Sequence, residues 1–184
     1  RMLSSANRMN RMIADLLDLT RTRFGDAIPI VRSTVDLEPL CRQVIAELEG
    51  LRPAGTLTFK PKGDLSGEWD ADRISQVLSN LVGNAIQHGG ATEPIELVVE
   101  GSRDEVQVDV HNGGPPISKS ALATMFDPMI RHDRDTTHPG LGLGLYIASQ
   151  VVIAHGGTLE VTSTKAAGTT FTAHLPRRAP QRLT

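Results

Sequence analysis

Two segments of the sequence carry residue types that suit a metal ion and a polyphosphate. The segment from 80 to 88, NLVGNAIQH, places the amide side chains of Asn80 and Asn84 four residues apart. On a helix such side chains share a face, where their oxygens suit a hydrated magnesium ion. The segment from 140 to 145, GLGLGL, has glycine at every second position and continues as an apolar run. Because these glycines let backbone N–H groups approach a polyphosphate at a helix N-terminus, the two segments together predict a phosphate and metal site.

Composition limits the class of protein. The chain has 184 residues, 39% of them hydrophobic, which is enough for one domain with its own core and an appendage. A formal net charge of -2 without a long basic run argues against a nucleic-acid partner. The single cysteine, Cys41, excludes an internal disulfide and is predicted to be a core thiol in a reducing, cytoplasmic compartment. No stretch is long and apolar enough to predict direct membrane contact of this segment.

The first part of the chain predicts a bundle helix. Residues 1–24 contain neither proline nor glycine, and their seam positions recur at alternating spacings of three and four, as in a heptad pattern. These positions are Leu3, Ala6, Asn10, Ile13, Leu17, Thr20 and Phe24. The pattern favours a helical hairpin or a dimeric bundle over a helix that packs only on its own domain. Since the chain opens at Arg1 without an initiator methionine, we also expect it to be part of a longer protein.

The remaining helices and strands are predicted from the periodicity of apolar residues and from the residues that cap or break these elements. We place a boundary after residue 26, one domain over 27–176 and a loose basic tail over 177–184. Helices are predicted over 36–50, 70–88, 118–126 and 142–155, and strands over 56–60, 67–69, 95–100, 105–110, 158–163 and 169–175. On the second of these helices, Asn80, Asn84 and Gln87 lie roughly 100–130° from the centre of the apolar stripe. They are therefore expected at the edge of the core.

Five segments in a fixed order give the chain a family resemblance. NLVGNAIQHG, VHNGGPPI, FDPM, GLGLGLYIASQVVIAHGG and GTTF resemble the ATP-binding catalytic domain of sensor histidine kinases over about residues 28–176. The preceding RMIADLLDLTRTRFG is similar to the second helix of that family's dimerisation and phosphoacceptor hairpin. The resemblance implies an α+β fold, a two-layer α/β sandwich in which helices cover one face of a mixed sheet. This is the Bergerat-type ATP-binding fold shared with gyrase, the Hsp90 chaperones and MutL.

The resemblance also assigns expected roles at the phosphate end of the site. Asn84 matches the family's magnesium ligand. Asn80 stands where gyrase-like hydrolases carry a glutamate base, and an amide cannot take a proton, which favours transfer to a protein nucleophile over hydrolysis. Gln87 replaces a frequent lysine. His88 is either a substitute phosphate donor or a helix-end residue without chemistry.

Glycines and a polar lid complete the expected phosphate end. The resemblance implies that the residues expected to bind phosphate through backbone N–H groups are Gly140, Leu141, Gly142, Leu143, Gly144 and Leu145. Phe126 resembles the anchor of a lid whose Arg131 or Arg134 neutralises the γ-phosphate in the transition state, where charge develops.

At the base end the sequence departs from the family pattern. Asn112 matches the aspartate that receives the adenine amino group, and Gly114, Ile117 and Thr169 match neighbouring adenine contacts. A hydrogen bond to a neutral partner is worth less than one to a charged partner, so Asn112 should weaken ATP by roughly tenfold. Pro116 stiffens the loop where the family often has glycine.

The resemblance implies the catalytic domain of a two-component sensor histidine kinase. Such a domain binds Mg-ATP, transfers the γ-phosphoryl group to a histidine for relay to a response regulator, and dimerises through the N-terminal helix. None of the six histidines has the setting of an acceptor, so we expect the acceptor helix upstream of Arg1. Two alternatives stay open: an ATPase of the gyrase, Hsp90 and MutL group, and a degenerate, non-catalytic nucleotide-binding or docking module.

Overall fold

The structure, a computed structural model, describes residues 2–50, 56–90, 93–128 and 142–179, with side chains described from Met12 onward. Its helices are α1 (Met2–Arg23), α2 (Leu37–Glu49), α3 (Ala71–His88), α4 (Lys119–Thr124) and α5 (Gly144–Ala154). Its strands are β1 (Ser33–Asp36), β2 (Leu57–Lys62), β3 (Ser66–Trp69), β4 (Ile95–Gly101), β5 (Glu105–Asn112), β6 (Thr158–Thr164) and β7 (Gly168–Pro176).

A mixed five-stranded sheet forms one layer of the domain. Its strand order is β2-β4-β5-β7-β6, with β2 parallel to β4 and the other pairs antiparallel. Strands β1 and β3 pair separately as a small antiparallel sheet. Helices pack on one face of the large sheet, where alternate residues of β4, β5 and β7 are buried. The predicted α+β sandwich with an N-terminal helix is therefore confirmed.

Local sequence signals explain where the helices begin. Asp36, Asp70 and Ser118 are the N-caps of α2, α3 and α4, and each side chain accepts a hydrogen bond from a backbone N–H of the first turn. Helix α3 buries the predicted apolar stripe, which consists of Ile74, Val77, Leu78, Leu81, Val82 and Ala85. The predicted helices over 118–126 and 142–155 are shorter in the structure, because the first ends at Thr124 and the second begins at Gly144.

The core lies between the helices and the sheet. Trp69 and Phe171 are its largest fully buried side chains, and the Trp69 indole N–H donates to the Pro176 carbonyl at 2.9 Å. Cys41 is fully buried in α2, as predicted. Burial, with smaller contributions from Asp36 and Glu38, raises the pKa of its thiol to about 12. A thiol of this kind stays protonated and unreactive near neutral pH.

The C-terminal turns of α1 pack against α3 and α5. Asp18, which is only 4% exposed, forms an ion pair with Arg73 of α3 at 2.5 Å. The Tyr146 hydroxyl of α5 donates to the Thr22 hydroxyl at 2.7 Å. Other side chains of the same helix, those of Ile13 and Leu17, stay more than half exposed. Thus α1 contacts its own domain and still leaves apolar surface uncovered. Among the described residues, no helix has the length and apolar character needed to span a membrane.

Candidate functional site

One row of the large sheet carries polar residues on its helix-covered face. Asn112 of β5 is the cross-strand neighbour of Thr169 of β7, which is in turn the neighbour of Ser163 of β6. Asn112 is 3% exposed and Thr169 is 4% exposed. We call these three residues the base row. The structure thus brings together Asn112 and Thr169, which are far apart in the sequence.

The Asn112 amide is held by the residue that follows it. Its Nδ2 donates to the Gly113 carbonyl at 3.2 Å, whereas its Oδ1 has no hydrogen-bond partner among the residues that the structure describes. A buried polar oxygen without a partner is rare in folded proteins. An N–H donor of a ligand would satisfy it.

Ser163 was missed by sequence reasoning. Its Oγ accepts a hydrogen bond from the Ile117 backbone N–H at 2.9 Å and lies 2.8 Å from the Thr169 Oγ1. It therefore connects the loop after β5 to the base row. The alternation of residues along β6 could have identified it. Ser163 lies on the inward face after Leu159 and Val161, and it is the polar residue of these three.

The loop after β5 packs closely on the end of α3. A Cβ at Gly114 would stand 2.7 Å from the His88 carbonyl oxygen, so a side chain there forces the backbone apart. Ile117 is half-buried and Pro116 is exposed. Gly114 and Ile117 thus contribute backbone to the border of the base row.

Asn80 of α3 lies beside the N-terminus of α5. The Asn80 Nδ2 donates to the carbonyl of Gly144, the first residue of α5, at 3.0 Å. Gly142, just before this helix, has a φ of +71°, a conformation that favours glycine. Leu143 is 2% exposed and Leu145 packs against the core. Their backbone N–H groups, rather than their side chains, are what these two residues offer to an anion.

The other members of the row on α3 are more open. Asn84 is half-buried and its amide has no hydrogen-bond partner in the described part of the chain, while Gln87 and His88 are exposed. We call Asn80, Asn84, Gln87 and His88 the phosphate row. No group of three or more His, Cys, Asp or Glu side chains in the described residues is arranged to hold a metal ion. A single amide oxygen fits magnesium, which takes few protein ligands and completes its shell with phosphate oxygens and water.

The remaining predicted residues divide into two groups. Phe126 is half-buried against the core beside Met125. Four predicted site residues lie outside the described residues: Arg131, Arg134, Gly140 and Leu141.

Comparison with known proteins identifies the fold and its relatives. Residues 69–179 match the family described as histidine kinase-, DNA gyrase B-, and HSP90-like ATPase. The adaptive-response sensory kinase SasA of Synechococcus elongatus is 34% identical over 94% of the chain, and the chain spans 46% of that kinase's length. The catalytic domain of the histidine kinase ThkA superposes with a TM-score of 0.72 at 30% identity, covering 80% of this chain and 96% of that domain.

A second ThkA structure includes a partner. ThkA in complex with the response regulator TrrA superposes with a TM-score of 0.76 at 26% identity, covering 98% of this chain and 50% of that one. The likeness therefore extends over α1 as well as the sandwich.

Proposed function

The chain belongs to the histidine kinase-, DNA gyrase B-, and HSP90-like ATPase family as a histidine kinase catalytic domain, and we propose that it binds Mg-ATP for phosphoryl transfer to a histidine. The observation that carries this proposal is the bond between Asn80 and Gly144. It fixes Asn80 of α3 against the N-terminus of α5, so that the amide donors proposed for phosphate lie beside the helix that carries Asn84 one turn after Asn80.

We assign the parts of ATP to the two rows. The base row receives adenine, with the unpartnered Asn112 Oδ1 as the acceptor for the amino group and Thr169 beside it. In the phosphate row Asn84 supplies the magnesium ligand. Gly142 and Gly144, with the backbone of Leu143 and Leu145, bind phosphate. Bound magnesium would neutralise charge on the phosphates during transfer.

Transfer is favoured over hydrolysis by the state of Asn80. Its amide cannot act as a general base, and its Nδ2 already donates a hydrogen bond to the Gly144 carbonyl. An ATPase of the gyrase, Hsp90 and MutL group would need another group to activate water. We propose Gln87, Arg131 and Arg134 as further polar contacts of the γ-phosphate, with the two arginines neutralising its developing charge.

The proposals for the phosphoryl acceptor and the partners rest on the similarity to ThkA and on the residues of α1. None of the six histidines lies within α1, so we propose an acceptor on another helix of a two-helix hairpin. Exposed Ile13, Leu16 and Leu17 supply apolar surface for pairing of two copies through this hairpin. We propose residues 1–26 as its second helix and 27–176 as the catalytic domain. By analogy with ThkA and TrrA, a response regulator takes the phosphoryl group.

Calorimetric titration with ATP, with and without Mg²⁺, tests the binding proposal. We expect saturable binding that magnesium strengthens in the native chain and does not strengthen in Asn84→Ala. Absence of nucleotide binding would favour the degenerate docking module instead. For transfer, a longer protein that carries the acceptor helix should incorporate acid-labile, base-stable label from γ-labelled ATP, as phosphohistidine requires. Acid-stable label would argue against a histidine acceptor.

A further inference from the structure

We propose that the free edge of β6 pairs with the same edge of a second copy of this chain, in an antiparallel arrangement centred on Val161. The pairing joins the two large sheets into one continuous sheet, with five strands from each copy. The inference goes beyond the proposed function, because it concerns the outer edge of the sheet rather than the nucleotide contacts or the apolar surface of α1.

The outer edge of β6 is open in the described part of the chain. In the strand order β2-β4-β5-β7-β6 this strand comes last, and it pairs only with β7. The backbone N–H and C=O groups on its other side form no hydrogen bond with a described residue. A row of such groups is a template for a further strand.

The opposite edge of the sheet is protected, whereas β6 is not. Strand β2 carries Pro61, which has no N–H to donate, between Lys60 and Lys62, whose exposed ammonium groups pair with carboxylates of β4. Proline and lysine on an edge strand prevent further pairing. The sequence of β6, TLEVTST, contains neither, and four of its seven residues are β-branched and therefore favour a strand.

The inward side chains of β6 also lack cover at this edge. Leu159 and Val161 pack against the core but stay half-buried, whereas Phe171, Ala173 and Leu175 on the inward face of β7 are fully buried. A strand added beside β6 covers this remaining apolar surface. Its burial stabilises the pair in addition to the backbone hydrogen bonds.

The order of residues in β6 suits a second copy in one register. Residues directly opposite each other in an antiparallel pair lie on the same face of the sheet. Centred on Val161, all seven residues pair, and Glu160 faces Thr162 of the other copy. Thr158 then faces Thr164, and threonines opposite each other stabilise a sheet. A centre at Glu160 sets two carboxylates against each other, which is destabilising.

Disulfide cross-linking in the full 184-residue chain tests this register. In Val161→Cys the new thiols of two copies face each other across the axis, with Cα atoms about 4.5–5.5 Å apart, a separation that a disulfide spans. We expect mild oxidation to give covalent dimers. The native Cys41 does not compete, because it is fully buried and burial raises the pKa of its thiol to about 12.

A matched control lies on the same strand. Thr158 is more exposed than Val161, yet the two copies of residue 158 lie about 20 Å apart in the proposed register. Thr158→Cys alone should therefore stay monomeric on oxidation. Mixed with Thr164→Cys, which it faces, it should give covalent dimers.

Two charge variants measure the association without a cross-link. Thr162→Lys sets a lysine opposite Glu160 twice in each dimer and should tighten association by about 3- to 10-fold, whereas Thr162→Glu should weaken it by a similar factor. Thr34→Lys and Thr34→Glu make the same changes in net charge on an exposed residue of β1 and should leave association unchanged. Sedimentation equilibrium gives the dissociation constants, and thermal unfolding shows that each variant is folded.

The outcomes separate this inference from the proposed function. Cross-linking of Val161→Cys no faster than that of Thr158→Cys would overturn the pairing of two copies and leave the edge to a strand of another protein. Equal association of the two Thr162 variants would overturn it as well. Since the pairing is measured without nucleotide, a chain that fails to bind Mg-ATP but cross-links at residue 161 loses only the proposed function.

Discussion

The base row and the phosphate row differ in how far the protein fixes them before any ligand is present. The base row lies on three paired strands, its asparagine and threonine are almost fully buried, and its side chains are hydrogen-bonded to fixed neighbours. In the phosphate row Asn80 is tied to α5, while Asn84 has no hydrogen-bond partner in the described residues. The base end is thus preorganised by the sheet, and the metal end is left for magnesium and phosphate to order.

The largest expected effect is a loss of folding stability from a substitution next to the base row. Gly168 begins β7 with a φ of +72°, and a Cβ there would stand 2.5 Å from the Asn112 carbonyl oxygen. We expect Gly168→Ala to lower the free energy of unfolding by about 2–3 kcal/mol, because the backbone strain of an alanine at positive φ adds to the clash of its Cβ with the Asn112 carbonyl. Gly25→Ala is the matched control, because Gly25 has a φ of +87° and no neighbour within 4 Å. Equal losses in urea titrations would show that the contact with Asn112 contributes nothing.

This contrast also explains what the sequence predicted and what it did not. The helices of the site were predictable because capping residues and apolar periodicity are local signals, as at Asp70 and along α3. The meeting of Asn112 with Thr169 was suggested by resemblance, but the role of Ser163 depends on register between β6 and β7. Register is set by pairing over the whole strand, so a single serine carries little signal of it. The bond from Asn80 to Gly144 likewise depends on the packing of two helices.

The second prediction tests the metal end. If Asn84 is the protein's magnesium ligand, Asn84→Ala should weaken Mg-ATP by at least about 10- to 100-fold, since even residues behind a metal ligand have effects of that size. Because the base row is separate, binding of ATP without magnesium should change little. Asn84→Asp keeps an oxygen ligand and should retain magnesium dependence. Calorimetry in magnesium and in chelator measures both quantities, and an unaltered magnesium dependence in the alanine variant would remove Asn84 from the metal site.

The third prediction separates affinity from preorganisation at the base row. Asn112→Asp should bind ATP about tenfold more tightly, because a charged acceptor strengthens the bond to the amino group. The same change loses the N–H donated to Gly113, so the free chain should be less stable by about 1–3 kcal/mol. Titration calorimetry and urea unfolding measure the two effects. A variant with weaker ATP binding would contradict the assignment of Oδ1 as the base acceptor.

The fourth prediction concerns the looser phosphate row. Gly83 lies inside α3 between Asn80 and Asn84, and a Cβ there would meet nothing within 4 Å. We expect Gly83→Ala to raise the free energy of unfolding by about 0.5–1 kcal/mol, because alanine loses less conformational freedom in a helix. Opposite signs for alanine at Gly83 and Gly168 would support the difference between the two rows. A destabilised Gly83→Ala would mean that α3 is as closely packed there as the sheet.

The smallest expected effect is a pH dependence in the scaffold of the phosphate row. His155 is fully buried where the end of α5 meets the start of α3; its Nε2 accepts from the Asp70 N–H and its Nδ1 lies 2.8 Å from the Val151 carbonyl. Burial, with a smaller contribution from the Arg32 charge, lowers the pKa of this imidazole below 6.5, against the opposing effects of Val151 and Asp70.

The unfolded chain therefore binds a proton more readily than the folded chain. Stability due to neutral His155 is complete above about pH 6.5 and is lost as the pH falls through the lower folded pKa. Urea unfolding at a series of pH values should show this loss in the native chain and a smaller one in His155→Gln. Because α3 and α5 are joined here, hydrogen exchange should rise first at the Asp70 amide on acidification, while the paired strands of the base row stay protected. Exchange that rises equally in both places would show that the two rows share one cooperative unit.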